Sequence, residues 1–423
     1  MRSIPIEGSR LAMPPDHPAA GHWREALSRQ LAAIPASRRR SLRPLQPSSS
    51  AASLEGSDSQ RPTGPTQPLL DLASNDYLGL SRHPDVVAAA QTAAAREGSG
   101  AGASRLVSGS RPIHHALEAA LAQWLGRERV LLFPSGFQAN LAAVMALVDR
   151  HSLVLADRLI HASLLTGVRA SGARLQRFRH NDLADLETRL QAARRSAPGQ
   201  RLLVLSESLF SMEGTSPVVD ALVAVCRRHG AALLLDEAHA LGVLGPGGRG
   251  LGHGKDDIAL ISGTFGKAFG SGGAFLAGDG LVMEWLLQSS GAFRYTTALA
   301  PPLAAGALAA LQWLQAAERS GNPPGPRLLE RARCWRDRIE AAGWPRPPGT
   351  GPVLPVLVGD DGHSLALQEQ LEQAGLLAVA IRPPTVPEGT ARLRLVLRHD
   401  LPAGSLGRLL QVLGSPHLPS SSP

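Results

Sequence analysis

Only two of the 423 residues are lysines, Lys255 and Lys267, against 41 arginines. A lysine can shed its proton and form an imine with a carbonyl, whereas arginine cannot, so a lysine kept in an arginine-rich chain hints at chemistry. Lys267 stands in Ser262-Gly263-Thr264-Phe265-Gly266-Lys267-Ala268-Phe269-Gly270, a glycine-padded turn after the apolar run Ile258–Ile261. The bland alternative is a surface lysine placed by chance. The run Ala232–Leu235 ends in Asp236-Glu237-Ala238-His239. An aspartate at a strand end is partly desolvated, which is costly unless a cation meets it. After Leu153–Ala156 come Asp157 and His161, the latter either a ring to lie against a planar ligand or a helix cap. Ser211 lies in Phe210-Ser211-Met212-Glu213-Gly214, a turn that puts a hydroxyl beside a sheet end. Ser135-Gly136-Phe137 opens a helix whose first N–H groups can hold an anion or simply be capped.

Competing motifs fall away on spacing. Asp-Glu-Ala-His also spells the acidic box of one class of helicases, which requires an upstream GxxxxGK[ST]. Lys255 and Lys267 both follow a glycine, but each lacks the earlier glycine and the following hydroxyl residue. Gly245 to Gly250 matches GxGxxG but precedes no helix and has no acid about 20 residues on, so it reads as a flexible loop. Cys226 and Cys334 form neither CxxC nor Cys/His spacing, so neither a disulfide nor a metal is expected. What remains is a set: an imine-forming Lys267, Asp236 to keep a pyridine nitrogen protonated, the His161 ring to stack, and Ser135, Gly136 and Thr264 for a phosphate. These are the parts a pyridoxal phosphate site requires.

The elements that must hold this set follow from periodicity. Short apolar runs at 130–133, 153–156, 202–205, 232–235, 258–261 and 274–277 alternate with helical patterns at 113–125, 137–148, 183–193 and 219–229. That alternation predicts an α/β fold with a mainly parallel sheet, whose strand ends gather ligands. The length and the 43% apolar content predict two packed domains. We expect an N-terminal helix and arm over 1–69 with a disordered insertion at 46–68, a large sheet domain over 70–300, a smaller α+β domain over 301–414 and a disordered tail at 415–423. The formal charge of +8 is spread as arginine beside acids, so no nucleic-acid partner is expected. The uncharged run after Tyr295 contains Pro301-Pro302 and reads as a buried helix, not a membrane span. With no secretion signal visible, a cytoplasmic protein is expected.

Six segments in this order and spacing carry a family resemblance: Ser74-Asn75-Asp76-Tyr77-Leu78-Gly79-Leu80, Ser135-Gly136-Phe137, Asp157 to Ser163, Phe210 to Gly214, Asp236 to His239, and Thr264-Phe265-Gly266-Lys267. From about Leu70 to Leu413 the chain resembles the α-oxoamine synthases, a branch of the fold-type I pyridoxal phosphate enzymes. Ile381 to Pro387 and Gly389 to Arg394 are most similar to the branch acting in biotin biosynthesis. The resemblance implies that Lys267 carries the cofactor and moves a substrate proton, Asp236 pairs with the pyridinium and His161 stacks on the ring. It puts Ser211 and His239 near the ring's phenolic oxygen. Gly136, Phe137 and Thr264 would hold the phosphate, with Thr296 and Thr297 reaching it from the other subunit of a homodimer. Thr385 would touch substrate, as would Arg38, with Arg39 and Arg40 as alternatives. The implied reaction joins L-alanine to a pimeloyl thioester on coenzyme A or acyl carrier protein, with loss of CO2. A sister synthase using glycine and another acyl-CoA is the alternative. Leu106 stands before Val107-Ser108-Gly109 where relatives often have histidine.

Overall fold

The computed structural model describes residues 18–49, 52–56 and 68–415. The chain divides into two compact units, Met1–Arg43 and Pro44–Pro423. In the first, helix Pro18–Ala32 is followed by the 3₁₀ turn Ala36–Arg38. Arg39 closes the helix: its guanidinium donates to the carbonyls of Leu31 at 3.2 Å and Ile34 at 3.4 Å, serving acceptors left over at a helix end.

The second unit begins with strands β1 (Leu45–Pro47), β2 (Ser53–Gly56) and β3 (Leu69–Asp71). The central strands are β4 (Arg129–Phe133), β5 (Leu153–Asp157), β6 (Arg174–Phe178), β7 (Leu202–Glu207), β8 (Ala232–Asp236), β9 (Leu260–Thr264) and β10 (Ala274–Gly278). The C-terminal part adds β11 (Val353–Gly359), β12 (Leu376–Leu377), β13 (Val379–Ile381) and β14 (Ala391–Val396).

Apolar runs without polar alternation need cover on both faces, because successive side chains point to opposite sides of a strand. The core has that form. Leu153, Leu155, Val204, Leu233 and Leu235 pack into one cluster, and Val154, Ala156, Leu203, Leu205 and Leu234 into another. The sheet runs β4-β10-β9-β8-β7-β5-β6, with β10 antiparallel to both neighbours and the other strands sharing one direction. The α/β, fold-type I architecture expected from the sequence is the one observed. Helices 112–125, 136–147, 183–196 and 219–228 lie close to their expected ranges.

Several expectations need correction. Strand β6 (RLQRF) was not foreseen, because this largely polar edge strand buries little beyond Phe178. β9 begins two residues later than the apolar run and extends into the polar Ser262-Gly263-Thr264. The Gly245–Gly250 segment is not a loose loop: the next backbone N–H groups, of Leu251 and Gly252, donate to the buried Glu237 carboxyl at 3.2 and 2.6 Å. Burial pushes that carboxyl up to about 7, against the pull of those N–H groups. The expected insertion at 46–68 holds β1 and β2 where it is described. They pair with each other, and β2 pairs with β3, which joins β12 in a four-stranded sheet. Backbone pairing needs no apolar side chains, so a Ser- and Pro-rich text gave no sign of it. Residues 50–51 and 57–67 of that insertion, and 416–423 of the expected tail, lie outside the described residues. The stretch expected as the smaller domain, 301–414, lies inside the second unit and contributes the separate antiparallel sheet of β11, β14 and β13.

The turn after β9 carries Lys267 and is locked by backbone bonds from Gly270 N to Lys267 O and from Ser271 N to Phe265 O, both 2.9 Å. Gly270 takes φ +61°, and a Cβ there would run into the backbone of Leu80 and Ser81. Gly270→Ala should therefore cost about 3 kcal/mol, combining left-handed strain with overpacking. An unchanged thermal unfolding midpoint in the purified variant would refute this.

Candidate functional site

Parallel register places acids side by side. Glu207, the last residue of β7, lies opposite Asp236, the last residue of β8, which in turn lies opposite Ser262 of β9. Both acids are buried, Glu207 at 3% and Asp236 at 6% exposure. Lys267, a few residues beyond β9, comes within electrostatic reach of both. Burial pushes its ammonium down to about 8; the two carboxylates resist that fall, and Arg394 adds to it. Glu207 is pushed well above the ordinary carboxyl range by burial and then by Asp236, with Lys267 and the His161 N–H opposing.

Asp236 is held by two donors, Asn140 Nδ2 at 2.7 Å and the Ala238 N–H at 2.9 Å. Asn140 also donates to Ser163 Oγ at 3.0 Å, and Ser163 meets His161 Nδ1 at 2.7 Å. The His161 N–H donates to Glu207 at 2.6 Å, so ring and main chain are both fastened. His161 is also the N-cap of helix Ala162–Ser171, accepting from Ser163 N. The capping role and a place beside Asp236 and Lys267 thus hold together. Burial lowers the His161 ring's affinity for a proton, with Asp236 opposing and Lys267 reinforcing.

A second cluster lies toward β4. Ser135 caps helix Gly136–Leu147 by accepting from Gln138 N at 3.3 Å, while the Gly136 and Phe137 N–H groups belong to the first turn, which has no intrahelical acceptor. A Cβ on Gly136 would lie 3.7 Å from the Thr264 side chain, so this helix start and Thr264 are neighbours. Thr264 Oγ1 donates to Gly273 O at 3.0 Å and accepts from Gly266 N at 3.2 Å. Helix N–H groups and a hydroxyl suit a phosphate, a buried carboxylate suits a protonated pyridine nitrogen, and an amine with lowered proton affinity suits a carbonyl. The residues present fit pyridoxal phosphate.

On the opposite flank, His239 Nδ1 meets the buried Tyr77 hydroxyl at 2.5 Å. Burial lowers the proton affinity of His239 strongly, and the positive charges of Lys267 and Arg394 lower it further. Ser211 is half-buried, and its carbonyl accepts from Arg394 Nε at 2.6 Å. Arg394 Nη2 donates to Asn75 Oδ1 at 2.9 Å. Of the remaining expected residues, Thr296 is half-buried and Thr297 exposed; Thr297 forms a β-bridge with Ser104. Both line a surface pocket with Leu106, Val107 and Tyr295. Thr385 is exposed in the loop between β13 and β14. Arg38 ends the 3₁₀ turn of the first unit, and Arg39 is engaged in closing the helix there.

Sequence reasoning missed Asn140, Ser163 and Arg394, and did not see Glu207 as a partner of Asp236. The signal for Asn140 was an amide in the apolar stretch GFQANLAAVMAL, one turn after Gly136. The signal for Glu207 was its position at a strand end, but without the register its neighbour stays unknown.

Known proteins resemble this chain in sequence and fold. The family described as aminotransferase class I and II matches residues 67–413. The 8-amino-7-oxononanoate synthase of Chromohalobacter salexigens is 44% identical over 365 residues, covering 85% of this chain and 93% of that one. That of Pseudomonas entomophila is 44% identical over 347 residues, covering 80% and 87%. Among solved structures, Sphingomonas wittichii serine palmitoyltransferase superposes with a TM-score of 0.81 at 28% identity, covering 94% of this chain and 96% of that one. The 8-amino-7-oxononanoate synthase of Francisella tularensis gives a TM-score of 0.69 at 26% identity, covering 82% and 96%. The expected resemblance is met by relatives that match most of the chain, and the chain belongs to the family of 8-amino-7-oxononanoate synthases, within the aminotransferases of class I and II.

Proposed function

We propose that this chain catalyses the decarboxylative condensation of L-alanine with a pimeloyl thioester, pimeloyl-CoA or pimeloyl-ACP, giving 8-amino-7-oxononanoate, CO2 and the free thiol carrier. The observation that carries this reading is the pair of buried acids, Asp236 and Glu207, at adjoining strand ends within electrostatic reach of the half-buried Lys267, in a chain of this family. Pyridoxal phosphate, when bound, would withdraw electron density from the substrate Cα so that its proton, and later CO2, can leave with the bonding electrons held on that carbon.

The protein's own groups divide the remaining work. Asp236 would hold a proton on the pyridine nitrogen, with Asn140 and the Ala238 N–H fixing the carboxylate's direction. Lys267 Nζ, losing its proton at about 8, would take up and return the Cα proton near neutral pH. His161 would lie against the ring, and Ser211 and His239 would face its hydroxyl side. The Gly136 and Phe137 N–H groups and Thr264 would bind the phosphate. Arg394 is buried and donates to two neutral oxygens, Ser211 O and Asn75 Oδ1, so we assign it to the amino acid's carboxylate. Thr385 and Arg38 are assigned to the acyl substrate.

A homodimer belongs to the same proposal. Val107 and Tyr295 are each 79% exposed, and Leu106 and Phe137 about half exposed, beside Thr296, Thr297 and the helix start. Apolar surface beside a polar site is what a partner subunit would cover. Among the described residues no helix is long and apolar enough to cross a membrane. We assign the enzyme to the cytoplasm, where its free Cys226 and Cys334 would stay reduced.

The deciding measurement follows the cofactor's absorption band and free thiol together. The band should shift with L-alanine, and thiol should appear only when pimeloyl-CoA is also present; serine with palmitoyl-CoA is the control drawn from the structural neighbours. Thiol release with that control alone would move the function to a sister synthase. Asp236→Asn should melt within a few degrees of the parent yet lose at least about a thousandfold in turnover, the scale of removing one preorganised electrostatic group; a failure to fold would defeat the assignment. Because the chain holds only two lysines, lysine-selective NMR of the cofactor-free protein can follow Lys267 directly. Its midpoint should lie near 8 and move lower in Asp236→Asn, since Asp236 raises it. A midpoint that stays put would show that the two groups do not interact.

A further inference from the structure

A hydrogen-bonded line outside the cofactor residues runs through Asp157, His180 and Thr215. Asp157 is fully buried at the end of β5. One of its oxygens meets His180 Nδ1 at 2.9 Å and accepts from Leu159 N at 2.8 Å, while the other accepts from Asn181 N at 2.8 Å. Asn181 takes φ +53°, a left-handed conformation that asparagine tolerates better than most residues. At the other edge of the ring, His180 Nε2 meets Thr215 Oγ1 at 2.8 Å and Asn181 Nδ2 at 3.3 Å. A carboxylate has no proton to give, so Nδ1 carries the ring hydrogen, and the one lone pair of Nε2 in the neutral ring accepts from the closer Thr215 hydroxyl, with the Asn181 amide beside it. The ring stands edge-on to Phe210, 4.5 Å between centroids.

Thr215 closes the turn that holds Ser211. Phe210 N donates to Thr215 O, and Gly214 N to Phe210 O, both at 2.9 Å. The outer face of that turn seats two guanidinium groups from β14: Ser211 O accepts from Arg394 at 2.6 Å and Met212 O from Arg392 at 3.2 Å. Arg392 also lies 3.5 Å from Glu213. The turn is thus gripped on one side by the His180 line and on the other by the arginines.

We propose that Asp157, His180 and Thr215 act as positioning residues that fix the Phe210–Gly214 turn and, through its carbonyls, set where Arg394 presents its charge to the amino-acid substrate. The part concerning substrate rests on the assignment of Arg394 made above. The line governs how tightly the amino acid's carboxylate is held and leaves the proton transfer at Lys267 alone.

The test uses the full chain loaded with pyridoxal phosphate and two variants. Thr215→Val removes the hydroxyl at nearly constant shape, and Thr215→Ser keeps it. In Thr215→Val the half-saturating L-alanine concentration should rise about tenfold, the scale of one lost hydrogen bond, while kcat changes by less than about threefold. Backbone amide hydrogen exchange over residues 210–215 should speed up in the same variant. Thr215→Ser should match the parent in both readouts. The exchange measurement does not depend on turnover, so it reads the turn even if L-alanine proves to be the wrong substrate. Unchanged exchange in Thr215→Val, a loss confined to kcat, or equal behaviour of the two variants would each overturn the proposal.

Discussion

The structure depends on one electrostatic constraint: two carboxyl groups and one amine share a desolvated corner at the ends of neighbouring strands. Glu207 and Asp236 face each other because parallel register leaves them no alternative. Two anions side by side in a low dielectric are costly, and the cost falls when one keeps its proton. The hydrogen bonds show where the negative charge belongs. Asp236 receives Asn140 and the Ala238 N–H, whereas Glu207 receives only the His161 N–H and is pushed upward by burial. Glu207, pushed toward its protonated form by burial, then serves as an anchor for His161, and Asp236 is left to face a ligand's positive end. The same corner keeps Lys267 near the balance between its two protonation states, which a group that must both take and give a proton requires.

The fold creates this corner by burying the sheet on both faces and leaving its carboxyl edge as the place where polar groups can converge. Each contribution arrives just past a strand: Ser135 and Gly136 after β4, His161 after β5, Asp236 and His239 at and after β8, Thr264 and Lys267 at and after β9. The following helices supply further polarity, with first-turn N–H groups at Gly136 and a cap at His161. Short turns bring this about only if their backbones can close, which is why Gly270 must be a glycine.

Lys267 and Asp236 were legible in the sequence because a rare residue type and a strand terminus are properties of the text itself. The central strands and the helices that follow were legible for the same reason, since continuous apolar runs have few other uses. Asn140 and Ser163 were not, because a polar residue inside an apolar helix announces a partner without naming it. Arg394 was hidden more thoroughly. In Ala-Arg-Leu-Arg-Leu-Val the alternation reads as a solvated face, yet Arg392 and Arg394 are buried at 9% and 7% exposure, held by carbonyls from a segment about 180 residues away. Strands β1 and β2 escaped for a different reason: pairing through backbone alone leaves no imprint on side-chain hydrophobicity.

Those carbonyl partners explain how a buried arginine stays useful. An acid opposite Arg394 would neutralise it and compete with any incoming carboxylate. Ser211 O and Asn75 Oδ1 instead satisfy two of its donors and orient the planar group without cancelling its charge. Arg392, one strand residue pair earlier, has the opposite arrangement, with Glu213 at 3.5 Å beside its carbonyl contact. Two arginines on the same face of β14 therefore do different work: Arg392 is paired with Glu213 and ties the C-terminal sheet to the Phe210 turn, whereas Arg394 is seated on neutral oxygens and feels Glu213 without an ion pair to it. Central sheet and C-terminal sheet meet at that turn, so the position of the Arg394 cation is set jointly by both, and a change in either is felt where the substrate's anionic end would bind.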